Sequence, residues 1–222
     1  MLSRKLVVLA SLLGLCILGG TALTLSSVLG SSHFVFTGIN CVLMLLGSLF
    51  GALPAAGIIA AFFAIKAIAW SLPITAGIPT LLSAIGFASY AQPRSLRSGL
   101  LLIGYPALCM LLFIVHPVGG SAAAYSLYWV IPSACYVAHL CGFNSVLLAA
   151  LGSTFIAHAT GSVMWLYLRP TTPDLWLSLI PLVFVERLVF ALAATVCYSA
   201  LKKVTPLMLR HSTMKNVRLF FQ

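Results

Sequence analysis

Residues 144–168 read NSVLLAALGSTFIAHATGSVMWLYL, a run without a single Asp, Glu, Lys or Arg. A bilayer core is crossed by about 20 mainly apolar residues in a helix, because a backbone out of reach of water must close its own hydrogen bonds. The run therefore predicts a transmembrane helix. Working outward, mainly apolar runs recur from Leu6 to Leu29, Phe34 to Leu72, Gly99 to Val115, Ala122 to Leu140 and Leu175 to Leu201, with short links between. Membrane β-barrels show alternating segments of roughly ten residues, a pattern this chain lacks. Composition agrees: 62% of the 222 residues are hydrophobic and 6% charged, too few polar side chains to cover a water-soluble domain. The expected fold is all-α, a polytopic transmembrane bundle whose solvent is the lipid bilayer.

The net charge of +10 does not point to nucleic acid, because the basic residues form no stripe interleaved with aromatics. They sit between apolar runs instead: Arg4 and Lys5 at the start, Arg94 and Arg97 in the middle, and Lys202, Lys203, Arg210, Lys215 and Arg218 at the end. The positive-inside bias puts these places, and both termini, on the cytoplasmic side of a cytoplasmic (inner) membrane.

Leu6–Leu29 follows a basic start but exceeds the 7 to 15 apolar residues of a signal peptide, and is expected to stay as a first helix. Gly30-Ser31-Ser32-His33 would be an external turn. Phe34–Leu72 is too long for one crossing. Pro54, beside Gly51 and Gly57, is the expected break, giving helices over 36–53 and 55–72. Pro73–Tyr90 either crosses or forms a re-entrant piece. Eight helices result if every run crosses and six if the blocks between 34 and 92 are partly re-entrant, with the same parity. Residues 1–201 form one transmembrane domain. Residues 202–222 form a basic cytoplasmic tail, anchored by Leu207, Met208, Leu209, Leu219, Phe220 and Phe221 on the anionic leaflet.

The six cysteines (Cys16, Cys41, Cys109, Cys135, Cys141, Cys197) lie singly in apolar runs, without metal-ligand or disulfide spacing, and read as small packing residues. Only Asp174 and Glu186 are acidic, and about half a membrane separates them, which excludes paired-carboxylate proteolysis and carboxylate-bound metal catalysis. Ser121 after Gly119-Gly120, with His158 later, is similar to the serine and histidine of rhomboid-type proteases, but Ala122 stands where a second glycine is needed and Ser121 reads as loop. No catalytic residue, metal or cofactor is assigned.

Candidate ligand contacts lie in three helices. Glu186 falls near the bilayer centre, where an uncompensated charge costs several kcal/mol. Arg187 is adjacent, but successive helical residues point about 100° apart, so the two meet only if their side chains bend. Either they lock helices together or they face a ligand. Thr154, His158, Gly161, Ser162 and Trp165 share one helical stripe, which is a hydrogen-bonded packing seam or a pocket wall. Tyr125, Tyr128, Trp129, Pro132 and Tyr136 recur at helical spacing, and Trp70, Trp129, Trp165 and Trp176 all fall toward the outer side. An aromatic belt explains that, and so does an outward cup that stacks a flat molecule. Val115–Ser121 reads as the outer turn, and Lys66 as a snorkelling lysine.

The run Leu46-Gly47-Ser48-Leu49-Phe50-Gly51-Ala52-Leu53-Pro54-Ala55-Ala56-Gly57-Ile58-Ile59 resembles the second-to-third helix junction of the substrate-binding membrane subunits of energy-coupling factor vitamin importers. Those subunits dock their coupling subunit through alanines four apart on the first helix. Ala10 with Gly14 is the nearest match there, and Ala56, Ala60 and Ala64 keep the spacing on another helix. The resemblance implies a binding subunit without its own ATPase that captures a vitamin or precursor and works with coupling subunits.

The expected function is thus uptake or binding of a small, partly flat, polar metabolite. The alternatives are a structural or assembly protein acting through helix partners and, last, an intramembrane enzyme.

Overall fold

The computed structural model describes residues 24–27, 35–37, 39–70 and 77–210. The expectations for most of the first helix, the turn at 30–33, the start of Pro73–Tyr90 and the tail beyond residue 210 lie outside these residues. The described chain is helical apart from one two-stranded antiparallel ribbon, β1 (Thr24–Ser27) with β2 (Val35–Thr37), in register Thr24 to Thr37 and Ser27 to Val35. The architecture is helical, as the all-α expectation has it, with this ribbon as a local exception. Thr24–Ser27 falls within the expected first helix, Leu6–Leu29, and is extended instead; the β-branched types Thr24, Val35 and Thr37 favour the extended chain.

The helices that follow are α1 (Ile39–Phe50), α2 (Ala52–Trp70) and α3 (Ile78–Tyr90), then α4 (Leu96–Val115) and the short α5 (Pro117–Ser121). A 3-10 stretch, Ala123–Trp129, leads into α6 (Val130–Leu140), and α7 (Val146–Leu168) and α8 (Pro173–Arg210) complete the chain. Among the described residues three helices are long and apolar enough to cross a membrane: Leu96–Val115, Val146–Leu168 and Pro173–Lys202. α1, α2 and α3 are apolar but shorter. The 13 residues of α3 rise about 20 Å at 1.5 Å each, well short of the roughly 30 Å hydrocarbon layer.

Two breaks differ from expectation for physical reasons. The α1–α2 break falls at Gly51, whose φ of +83° only glycine adopts without strain. Pro54 sits instead in the first turn of α2, where amides have no helical acceptor and a proline costs nothing. α8 continues past Leu201 to Arg210, so no break marks the expected start of the tail. Inside α4 a π-helical stretch, Leu100–Gly104, precedes Pro106. That proline cannot donate to the Leu102 carbonyl, and Ser133 of α6 donates to it at 3.1 Å.

α7 is the hub, packed against α3, α4, α6 and α8. Of its apolar window 56% is buried inside the protein, against 28% for the other two long helices. The close crossings are built on small residues. A Cβ at Gly47 would land on the Ala84 carbonyl, one at Gly152 on the Tyr90 hydroxyl, and one at Gly86 2.8 Å from Ile156. Tyr90 donates to the Pro132 carbonyl at 3.0 Å and Tyr136 to that of Pro93, tying α6 to α3 and the turn after it. The outward faces carry Leu53, Ile65, Ile68, Leu111 and Val196, large apolar groups left exposed.

Candidate functional site

At the end of the bundle that carries α5 and the turn at 169–172, aromatic side chains from four elements converge. Phe113 of α4 meets Trp129 and Trp176 edge to face, each at 5.2 Å between ring centres, and stacks on Tyr125 at 5.6 Å. Tyr125 also meets Trp176 at 5.0 Å, Trp129 at 6.3 Å and His158 at 5.4 Å. Tyr128 stacks on Phe155 at 5.7 Å and donates to the Ile180 carbonyl at 2.6 Å, joining the 3-10 stretch to α7 and α8.

This overturns the belt reading for Trp129 and Trp176; the Trp70 side chain lies outside the described ones. Trp129 is 0% and Trp176 3% exposed, so both are core residues, and Trp165 is partly buried against the same cluster. The tight 3-10 stretch turns Tyr125 and Trp129 inward together.

The polar stripe of α7 faces inward as its spacing predicts. Thr154 and Ser162 are buried, and Thr154 donates to the carbonyl of Leu151 in its own helix at 2.8 Å. Ser162 and Tyr125 share a hydroxyl contact at 3.3 Å. His158 lies one turn deeper, between Tyr125 and Phe155, and its Nε2 is buried with no hydrogen-bond partner among the described residues. The same holds for Trp129 Nε1.

Glu186 and Arg187 bend toward one another into an ion pair of 3.5 Å, with side chains 14% and 7% exposed. The Arg187 guanidinium also lies over the Phe190 ring at 4.7 Å, and its charge acts on Tyr125, His158 and Cys41. Cys41 contacts the Phe190 carbonyl at 3.7 Å, bringing α1 against this level of α8. A column results, from Trp176 through Tyr125 to His158 and the Glu186–Arg187 pair, aromatic at the end of the bundle and ionic toward its middle.

All nine expected ligand contacts, Tyr125, Tyr128, Trp129, Thr154, His158, Ser162, Trp165, Glu186 and Arg187, thus lie in or beside one interior region. Sequence reasoning missed Phe113 and Phe155, which wall it beside Trp176 of the expected aromatic cup; a phenylalanine in an all-apolar helix gives no sign of its facing.

Ser121 is not loop but the last residue of α5, exposed and donating to the Pro117 carbonyl, while His158 packs beside Tyr125 with its Nε2 buried. The structure does not bring the two together. The two glycines instead serve the turn: a Cβ at Gly119 would strike the Phe113 carbonyl, and one at Gly120 would lie 2.8 Å from that of Ile114. Of the described cysteines, Cys41, Cys109 and Cys135 are buried, whereas Cys141 is exposed in the turn after α6. A separate apolar groove of about 350 Å³ runs between α4 and α7, lined by Leu112, Val163, Met164, Tyr167 and Leu168.

No family model, curated protein or solved structure matches this chain.

Proposed function

We propose that the chain is a multi-pass protein of the cytoplasmic membrane, with both ends inside, that binds a small metabolite in its bundle interior for uptake. The observation that carries this is the His158 imidazole beside Tyr125, its Nε2 buried with no hydrogen-bond partner among the described residues, in a region that also holds an ion pair. Polar groups at membrane depth are expensive and persist where they face a cavity, a partner or a ligand. The aromatic end of the column lies on the side opposite the basic turn at Arg94 and Arg97, which orients the site outward.

No nucleotide-binding motif accompanies the site, and the resemblance of Leu46–Ile59 to the substrate-binding subunits of vitamin importers supports a division of labour in which coupling subunits supply the energy. The test is thermal unfolding of the detergent-purified protein across a metabolite library, since a ligand selective for the native state raises apparent stability. One or more compounds raising the midpoint by several degrees is the expected result. A flat response across vitamins, precursors and nucleobases refutes the binding reading.

A second reading has its own support. The rings of Phe113, Tyr125, Trp129 and Trp176 fill the space between helices against one another, and the hydroxyls of Ser153, Thr154 and Thr160 bond to their own helix. A structural or assembly protein needs no more than such seams, and for it the interior variants change folding alone.

A further inference from the structure

We propose that the groove between α4 and α7 holds an acyl chain of a net-anionic phospholipid, and that Arg169 takes the phosphate of its headgroup. The site is separate from the interior column and does not depend on that column binding a metabolite.

The groove arises where two helices of membrane length end together. His116 precedes Pro117, which pushes it out of the helical conformation, to φ −75° and ψ 135°. Its amide therefore turns to the Phe113 carbonyl, at 3.3 Å, and gives up the Leu112 carbonyl one helical turn back. A carbonyl without a partner is costly at membrane depth. Tyr167 of α7 supplies the partner, donating its hydroxyl to Leu112 at 2.8 Å across the two helices. With that hydroxyl engaged, the walls offer no free polar side chain: Leu112, Val163, Met164 and Leu168 complete them around about 350 Å³.

Leu112, Tyr167 and Leu168 are 37%, 51% and 65% exposed, so the groove opens on the outside of the bundle. Around helices of this length and composition the outside is hydrocarbon. Water needs polar partners that these walls lack. An unbranched acyl chain needs none, and it gains contact along the whole slot.

Charge identifies the head. Arg169 follows Leu168 of the groove directly, is exposed, and forms no ion pair among the described residues. Asp174, exposed in the first turn of α8, is not paired with it. A guanidinium at a helix end reaches for the headgroup level, where its planar fork matches a phosphate through two parallel hydrogen bonds. The His116 ring, 5.0 Å from that of Tyr167, marks the same end of the groove. A zwitterionic lipid brings an ammonium that competes with Arg169 for the phosphate. A net-anionic one leaves the phosphate to the arginine.

The experiment is native mass spectrometry of the full-length protein, stripped of lipid in detergent and titrated with phosphatidylglycerol or phosphatidylcholine of the same chains. One phosphatidylglycerol should be retained, about tenfold more tightly than phosphatidylcholine. Arg169→Gln should remove that preference, a loss of about tenfold, with the lipid-free unfolding midpoint unchanged because the side chain is exposed; Arg169→Lys should recover part of it. Met164→Trp fills the groove and should weaken both lipids about tenfold; Leu168→Trp, at a more exposed wall, does the same if the first variant fails to fold.

Two lipids that bind alike, in wild type and in every variant, overturn the proposal, since lipid then only coats the bundle. Glycerol phosphate binding as tightly as the intact lipid also overturns it, because the groove is then idle. A doubled mass that Met164→Trp returns to the monomer puts a second copy in the groove and overturns it as well.

Discussion

Glu186 and Arg187 are consecutive on α8, yet their side chains meet at 3.5 Å in a nearly solvent-free interior. Removing either partner takes from the other the opposite charge it faces. Glu186→Gln and Arg187→Gln should each lower stability by about 3 kcal/mol, and the double variant should lie closer to wild type than either, measured by unfolding in mixed micelles. Additive losses would mean that the charges act independently. A second cycle tests the α3–α7 crossing. Gly152→Ala places a methyl on the Tyr90 hydroxyl and should cost about 2 kcal/mol, part of which Tyr90→Phe restores even though it gives up the bond to Pro132. At this scale the α7 stripe was legible, because Thr154, His158 and Ser162 are polar where lipid tolerates no polarity. The facing of Trp129 and Trp176 was not: the same ring suits a headgroup belt and a core, and neighbours distant in sequence decide between them.

At the scale of elements, apolar length located α4, α7 and α8 well, since lipid sets the length a helix must have. It located breaks poorly. Proline was weighed as the breaker at residue 54, whereas the chain turns at Gly51 and carries Pro54 in a first turn that tolerates it. Gly51→Ala should therefore destabilise by about 1–2 kcal/mol through its left-handed backbone, while Pro54→Ala stays near wild type in the same unfolding assay. The opposite ranking would return the break to the proline. The 3-10 stretch Ala123–Trp129 left no mark in the sequence, because its tightness answers to packing against α4 and α7 rather than to any local turn residue.

For the whole molecule, the basic clusters give the orientation a direct check. In a background without other cysteines, Ser121→Cys on α5 should react with an impermeant maleimide from outside intact cells, and Cys141, exposed in the turn after α6, only after permeabilisation. The reverse pattern would turn the protein over and put the aromatic end of the column on the cytoplasmic side. The central claim is that the buried column exists to hold a ligand and not merely the helices. It is tested most directly by the ligand-induced rise in unfolding midpoint of wild type and His158→Ala with the best library compound. A rise in wild type that is lost in the variant, while the unliganded variant unfolds near the wild-type midpoint, is the predicted result. A wild type that responds to nothing, beside a variant that simply melts earlier, would contradict the account and assign His158 to packing.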